Sequence, residues 1–440
     1  MQKNNKIAAL IGMGILNFLG CLDLTIVNTA LPAIQHSFQV GDTTLQWAIN
    51  ALLLALTATM VLVGKLGDRY GRRMMLYVGM ILFAVTSLGA LLTPSFGGLV
   101  FFRFFQGISI GILYTAPIAL MPTVFPGQVE KAMSVMIGIS GLGLALGPVL
   151  GGVLTSLFSW HAIFFINLPL TALAYLFCRG NVPEVKSEKL EKLDIPGALL
   201  MAITLPLLIY TTVNIHIAPI SQTLLAYAVT LVLALVFVWR ENKALSPMID
   251  FHLFANRHFI VGLIANFFMA FFYTNAFFFI PLHLNQLGIQ SSFEIGLILL
   301  PAMLMVAIFS PISSRLCKRW STQKVMMMGY GFFILSAILQ LALMHSTQLP
   351  LLLISYIAFG LGWAFVLSPS LVAGVSSLPQ DMGGVAIGSL GTFHNLGGTV
   401  GLAIGATLGY THAMSMVLVT SILAFGVVYF GLARKKSLLF

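Results

Sequence analysis

Residues 64–73 read Gly64-Lys65-Leu66-Gly67-Asp68-Arg69-Tyr70-Gly71-Arg72-Arg73. The setting of this glycine-rich, charged turn decides the fold. It joins an apolar stretch ending near residue 66 to another beginning near residue 74, and it recurs 250 residues later as Ser314-Arg315-Leu316-Cys317-Lys318-Arg319-Trp320-Ser321, again between apolar stretches. A weaker echo follows, with Gln106-Gly107 matched by Phe359-Gly360. The 250-residue spacing is constant through the turn, as far as Gly79 and Gly329, and means two similar halves in parallel order. Among chains of membrane helices, that construction belongs to transporters whose halves rock about a central site.

Working outward from the turn, apolar stretches fall at approximately 7–32, 45–66, 74–93, 98–120, 131–157, 161–179, 195–214, 221–239, 258–284, 294–315, 323–344, 350–371, 382–409 and 412–433. Each is close to the roughly 20 residues a helix needs to cross a bilayer, and none shows the ten-residue alternation of a barrel strand. The cations test the count. Lys3 and Lys6, the 64–73 turn, Lys131, the 179–192 linker, Arg240 to Arg257, the 315–324 turn and Arg434 to Lys436 all lie on alternate connections, so they share one side. The excess of Lys and Arg makes that side cytoplasmic and places both termini inside. Arg103, within the fourth span, is the exception.

Composition agrees. The chain has 440 residues, 59% of them hydrophobic and only 8% charged, against about 25% charged in soluble domains. The formal charge of +10 is then an orientation signal and not a sign of a nucleic-acid partner. Cys21, Cys178 and Cys317 form no spaced pair that suggests a disulfide or a metal site. No phosphate-binding loop, metal constellation or nucleophile–base pair is recognisable, so no enzyme and no cofactor is expected. The short loops leave no room for a soluble sensor domain. The apolar run after Lys3 and Lys6 is too long for a leader peptide and is taken as a retained first span. The expected organisation is an all-α polytopic membrane protein: an N-terminal six-helix bundle over 1–179, a central region over 180–257 with a charged linker, two extra helices and an amphipathic interfacial segment, and a C-terminal six-helix bundle over 258–440.

Two charges fall inside the bilayer. Ten of the twelve acids lie in loops or at cytoplasmic edges. Glu294 begins the tenth span and suits its N-terminus. That leaves Asp23, whose charged form is costly in lipid and which can therefore load and release a proton. Arg103 lies at a comparable depth and cannot readily deprotonate. Two opposite charges at one depth are expected to pair or to share a water cavity, and a pair would be static or one that tunes Asp23. Gln106, one turn on, shares that face. In the fifth span, Gly143, Gly147 and Gly151 recur every four residues, giving a smooth face for close helix contact. Pro148 cannot bond the carbonyl of Leu144, so the helix can bend there, and Gly152 extends the motif. Candidate substrate-cavity residues are Asn28, Gln106, Tyr114, Phe272, Asn275, His394 and Asn395, with most Phe residues of the ninth span serving packing.

These stretches resemble the fourteen-spanner drug/proton antiporter branch of the major facilitator superfamily. Leu22-Asp23-Leu24-Thr25-Ile26-Val27-Asn28-Thr29-Ala30-Leu31-Pro32 is similar to the branch's first-helix motif. Gly64 to Arg73 resembles the superfamily's loop motif, and Arg103-Phe104-Phe105-Gln106-Gly107 its fourth-helix motif. Gly143 to Gly152 resembles the fifth-helix motif associated with antiporters. Trp160 to Pro169 and Leu253 to Phe259 are typical of the branch. The resemblance implies export of small amphipathic compounds driven by protons, by a monomer in the cell membrane. Asp23 and Arg103 would couple the proton, Gly64, Asp68, Arg69, Gly71, Arg72 and Arg73 would gate the cytoplasmic side, and Gly143, Gly147, Pro148, Gly151 and Gly152 would form the hinge. The chain departs from the pattern at His161-Ala162, in the short connection between the last two spans, in the lack of a mid-membrane acid in the tenth span, and at Lys318, which stands where Asp68 stands in the first copy. A carrier of the same fold dedicated to one physiological solute, such as a siderophore or metabolite, fits the same residues; import by it also fits.

Overall fold

The computed structural model describes residues 3–185, 194–215, 218–244, 247, 251–346, 348–375 and 383–432. The linker charges Lys186, Glu188, Lys189, Glu191 and Lys192, the acids Asp250 and Asp381, and the C-terminal Arg434, Lys435 and Lys436 lie outside these residues. The side chains of Lys65, Asp68, Glu130 and Lys131 also lie outside the described ones. Part of the amphipathic segment expected over 241–258 falls outside as well.

Every regular element among the described residues is helical. In chain order these are α1 (Lys3–Ile26), a 3-10 turn (Asn28–Ala30), α2 (Leu31–Phe38), α3 (Asp42–Leu45), α4 (Trp47–Tyr70), α5 (Arg72–Leu92), α6 (Phe96–Val124), α7 (Val129–Leu157), α8 (Ala162–Phe165), α9 (Asn167–Cys178), α10 (Ile195–Val213) and α11 (Ile220–Lys243). A second 3-10 turn (Phe251–Ala255) precedes α12 (Arg257–Gln286), α13 (Ser292–Trp320), α14 (Thr322–Ala342), α15 (Leu349–Val375), α16 (Gly383–Leu408) and α17 (Tyr410–Gly431). Eleven helical segments are long and apolar enough to cross a bilayer, and Ala162–Cys178 and Pro196–Thr212 are shorter apolar ones. With α16 they account for all fourteen spans read from the sequence.

Two spans are broken where the sequence suggests continuous helices, and proline explains both. Pro32 has no N–H to offer the carbonyl of Asn28, and the chain passes through the 3-10 turn at Asn28–Ala30 instead. The Asn28 carbonyl accepts the Leu31 N–H, and the Asn28 side-chain amide donates to the carbonyls of Leu24 (3.3 Å) and Thr25 (3.2 Å). Pro169 likewise has no N–H for the carbonyl of Phe165, and the sixth span divides into α8 and α9, with Asn167 at the division.

The chain divides into two compact units. Unit 1 comprises Met1–Met248 and Phe277–Met303, and unit 2 comprises Ile249–Ala276 and Leu304–Phe440. In unit 1, α1 packs on α7 and α9, and α6 packs on both α4 and α5. The extra helix α10 lies on α4, and α11 lies on α10. Leu224, Leu225, Leu231, Val232 and Leu235 of α11 are exposed, as suits a helix whose solvent is lipid. In unit 2, α14 packs on α15 and α17, and α16 on α15 and α17. The repeat persists in the backbone. Gly71 has φ +119° and Ser321, 250 residues on, has φ +117°. In the second copy a serine holds a conformation that suits glycine, and its hydroxyl caps α14 by accepting from the Lys324 N–H at 3.4 Å.

Candidate functional site

Asp23 and Arg103 form an ion pair in unit 1, and both are almost wholly buried. Four further helices complete the setting. The Arg103 Nε–H donates to the carbonyl of Ala48 in α4 (2.9 Å), and a second guanidinium nitrogen donates both to Asp23 and to the Gln106 carbonyl oxygen (3.0 Å). The Gln106 amide donates to Asp23 Oδ1 (3.2 Å) and to Ser87 Oγ of α5 (3.0 Å). Asn167, at the start of α9, donates to the same Asp23 oxygen (3.2 Å) and to Ser87 Oγ (3.2 Å). The ring of Phe164 in α8 lies 6.0 Å from the guanidinium carbon. The broken sixth span thus has a purpose in packing: the interruption at Pro169 turns the Asn167 amide into the centre of the unit.

Sequence reasoning singles out Asp23, Arg103 and Gln106 but misses Ser87 and Asn167. Asn167 sits in a stretch noted as typical of the branch, and its position directly before Leu168-Pro169 is the available signal. Ser87 has none, because an isolated membrane serine commonly bonds its own helix.

The glycines of α7 meet α1 closely. A Cβ at Gly143 would lie 2.6 Å from the Phe18 carbonyl oxygen and 2.9 Å from Cys21 Cβ. At Gly147 it would collide with Thr25, and at Gly151 with the carbonyl of Ile26. The carbonyl of Leu144, left without its helical donor by Pro148, accepts the Thr25 hydroxyl at 3.2 Å. The bend-prone point of α7 is therefore tied to α1 two residues after Asp23. On another face, a Cβ at Gly152 would strike the Ser292 carbonyl, and one at Gly296 of α13 would strike that of Pro148. The Phe293 N–H donates to Ser156 Oγ at 3.0 Å.

In the 64–73 turn, only Gly71 needs to be glycine. It carries φ +119°, and a Cβ there would meet the Glu184 carboxyl carbon at 2.8 Å. Gly64 has open space around it, and Gly67 makes only ordinary contacts, the nearest at 3.8 Å. The turn docks on the segment after α9. The Arg72 N–H donates to the Val185 carbonyl (2.9 Å), and the Arg73 N–H donates to Glu184 Oε1 (3.1 Å). The Arg73 guanidinium pairs with Glu184 Oε2 at 3.5 Å. The Arg72 side chain bonds the carbonyl of Ala119 in α6. Arg69 is exposed, 5.9 Å from the Tyr70 ring. Asp68 was the acid expected to latch this turn, and its side chain lies outside the described ones. Glu184 is the partner the structure provides. Gly71→Ala is expected to destabilise the protein by about 1–3 kcal/mol, the scale of a strained left-handed residue, in a thermal melt of the purified protein. Gly64→Ala should stay within about 0.5 kcal/mol of wild type.

The remaining candidates are dispersed. Asn28 is buried in the broken first span, and Tyr114 is half-buried with its hydroxyl 3.1 Å from Cys21 Sγ. In unit 2, Phe272 is fully buried between Phe333 (centroids 4.4 Å apart) and Phe359 (5.6 Å). Asn275 donates to the Phe271 carbonyl at 2.8 Å, and a Cβ at Gly405 of α16 would collide with its side-chain oxygen. His394 bonds Asn266, and the carbonyl of buried Asn395 accepts the Thr399 hydroxyl at 2.8 Å. Glu294 is exposed in the first turn of α13, whereas Glu241, expected at a cytoplasmic edge, is almost fully buried in the last turn of α11.

The two units repeat one packing scheme. Gly397, Gly401 and Gly405 of α16 lie against Phe267, Phe271 and Asn275 of α12 much as Gly143, Gly147 and Gly151 lie against Phe18, Thr25 and Ile26 of α1. Phe267 follows Phe18, and Asn275 follows Ile26, by 249 residues, and by that offset Phe272 stands where Asp23 stands. An aromatic cluster fills the second half at the place where the first half holds its ion pair.

Comparison with known proteins agrees over nearly the whole chain. The family model for the Major Facilitator Superfamily matches residues 13–402. Multidrug resistance protein Stp of Mycobacterium tuberculosis (strain CDC 1551 / Oshkosh) is 30% identical over 410 residues, covering 92% of this chain and 76% of its own length. Riboflavin transporter RibZ of Clostridioides difficile (strain 630) is 29% identical, covering 88% of this chain and 84% of its own. Among solved structures, the xylose transporter XylE from E. coli, in a partially occluded inward-open conformation, superposes with a TM-score of 0.67 at 12% identity, covering 98% of this chain and 100% of that one.

Proposed function

The chain belongs to the Major Facilitator Superfamily, and from that membership we propose that it exports small amphipathic or lipophilic compounds in exchange for protons, by alternating access. It is a multi-pass membrane transporter and not an enzyme. The observation that carries the proton-coupled reading is the buried Asp23, held by Arg103, Gln106 and Asn167. With Asp23 ionised, the pair is neutral overall. A proton on Asp23 leaves Arg103 as an uncompensated buried cation, which costs several kcal/mol unless the surroundings change. Protonation thereby favours a rearrangement of the helices that meet there, and α7, tied to α1 beside Asp23, is placed to carry it. The test is proteoliposomes with an imposed proton gradient. Substrate added on one side should drive stoichiometric proton movement, and substrate flux without proton flux would overturn the coupling.

The kinship with Stp, named a multidrug resistance protein, supports export of drugs. A carrier for one physiological solute is the second reading, favoured by the kinship with RibZ, named a riboflavin transporter. Breadth separates the two: a drug exporter should exchange protons for several unrelated compounds. We place the protein in the cell membrane, working as a monomer, with the cation-rich turns and both termini in the cytoplasm. Cysteine labelling at exposed loop positions of intact cells checks that orientation.

The cytoplasmic gate is assigned to Gly71, Arg72, Arg73 and neighbouring residues, with Glu184 added as partner. The Arg73 and Glu184 side chains are 40% and 31% exposed, so their pair contributes at most about 1 kcal/mol. A weak bond suits a latch that opens in every cycle. Glu184→Lys should slow transport several-fold with little change in stability, and adding Arg73→Glu should restore the rate.

A further inference from the structure

We infer that unit 2 holds a docking platform for planar, uncharged aromatic compounds, built on the ring stack of Trp363, Tyr273 and His394; this rests on the transporter reading above and names its substrate class. The three rings come from α15, α12 and α16. The Tyr273 centroid lies 4.6 Å from Trp363 with the planes 4° apart, and 5.4 Å from His394 with the planes 25° apart. Neighbouring phenylalanines on α12 pack edge to face, as core rings commonly do: Phe267 on Phe268 at 89° and Phe278 on Phe279 at 84°. Phe272 of α12 also stacks near-parallel, on Phe333 at 24° and on Phe359 at 22°, but those three rings are fully buried. The Tyr273 column instead ends on the half-buried ring of His394, where a flat ligand can extend it as one more ring.

Two rings of the column differ in exposure. Trp363 is 3% exposed, whereas His394 is half-buried. The imidazole is also oriented. Buried Asn266 donates its amide to the Leu390 carbonyl (3.2 Å), which turns its oxygen towards His394 Nδ1 (3.0 Å). Nδ1 therefore carries a proton and, in the neutral ring, Nε2 is left as an acceptor. A ligand stacked on the outer imidazole face can direct a hydroxyl of a flexible substituent to Nε2.

Charge sets the rest of the class. Tyr273 already stacks with two rings, Trp363 and His394, which leaves little of its π-system for a cation. Among the described residues of unit 2 there is no Asp or Glu, and Asp23 in unit 1 is already held by Arg103. A desolvated organic cation would find no counter-charge among these residues.

The test measures binding to the purified full-length protein. The probes are riboflavin (planar, uncharged, hydroxylated side chain), lumichrome (a related flat tricycle without that chain), ethidium (planar cation) and tetraphenylphosphonium (non-planar cation). Flavin fluorescence reports the first two, and competition the others. Both uncharged probes should bind at least about tenfold more tightly than either cation, a difference of roughly 1.4 kcal/mol. His394→Phe keeps a flat face and loses Nε2. It should weaken riboflavin about tenfold and leave lumichrome within about twofold. His394→Ala should weaken both; if that variant does not fold, His394→Gln, which keeps an acceptor without a ring, should weaken lumichrome more than riboflavin. Cations that bind as tightly as the uncharged probes, failure of both uncharged probes to bind, or a His394→Ala variant with unchanged affinity for them would each overturn the platform. Binding as expected without proton exchange in proteoliposomes would instead refute the antiport reading and leave the platform standing.

Discussion

Asp23→Asn is expected to reduce substrate-driven proton exchange to the background of empty vesicles. Asparagine keeps the size and one acceptor oxygen, so the contacts from Gln106 and Asn167 have a partner to keep, but the group can no longer take up and release a proton. The same change strands Arg103, which is 2% exposed. Breaking a buried pair by removing one partner costs about 3–5 kcal/mol. Here the lower end applies, because the guanidinium retains the Ala48 carbonyl and Gln106. A melt of the variant should therefore show a clear loss of stability, and that loss alone could abolish transport. The double variant Asp23→Asn with Arg103→Gln separates the two effects. It replaces the ion pair by two neutral amides, and much of the stability should return. If the pair is only a structural brace, exchange returns with it; if Asp23 carries the proton, exchange stays at background. Proton exchange at wild-type rate in the double variant would refute the assignment.

Much of this cluster was legible in the sequence because charge in lipid is so costly that it marks itself. Asp23, Arg103 and Gln106 stand out against apolar spans, and two opposite charges at one depth call for a pair or a shared water cavity, of which the structure has the pair. Neutral polar groups carry no such mark. Ser87 and Asn167 complete the shell, yet each is a residue type that bonds its own backbone in many membrane helices. The spans were legible for a related reason: a fourteen-helix count with alternating cations leaves little freedom. The breaks at Asn28 and Ile166 were less so, since proline within a membrane helix sometimes bends it and sometimes divides it. Which outcome wins depends on how the freed carbonyl is satisfied, and that of Asn28 accepts the Leu31 N–H of the 3-10 turn. The Trp363–Tyr273–His394 column was hidden by composition, because the ninth span is so rich in phenylalanine that its one tyrosine reads as one more packing ring.

Gly147→Val should be the most damaging single change outside the charge cluster, and it probes the hinge where it meets the proton site. A Cβ at residue 147 would collide with the Thr25 side chain and come within 3.1 Å of the Ile26 backbone nitrogen. Neither neighbour can yield easily, since the Thr25 hydroxyl is bonded to the carbonyl of Leu144 and the Ile26 nitrogen is backbone. Overpacking of this kind costs about 1–3 kcal/mol. Losing the Thr25 bond, which satisfies a carbonyl freed by Pro148, adds about 1 kcal/mol. Relief requires α1 and α7 to move apart, and Asp23 is two residues from the collision, so its contacts with Arg103 and Asn167 shift with α1. Transport is expected to be lost even where the protein still reaches the membrane. The control lies on the same helix. A Cβ at Gly138 or Gly141 would have nothing within 4 Å, so valine there changes helix propensity equally without the collision at the Cβ. Transport by Gly138→Val and Gly141→Val should stay within about twofold of wild type. If the three valines behave alike, helix propensity and not the α1–α7 contact is what residue 147 serves, and the hinge has no steric basis at this position.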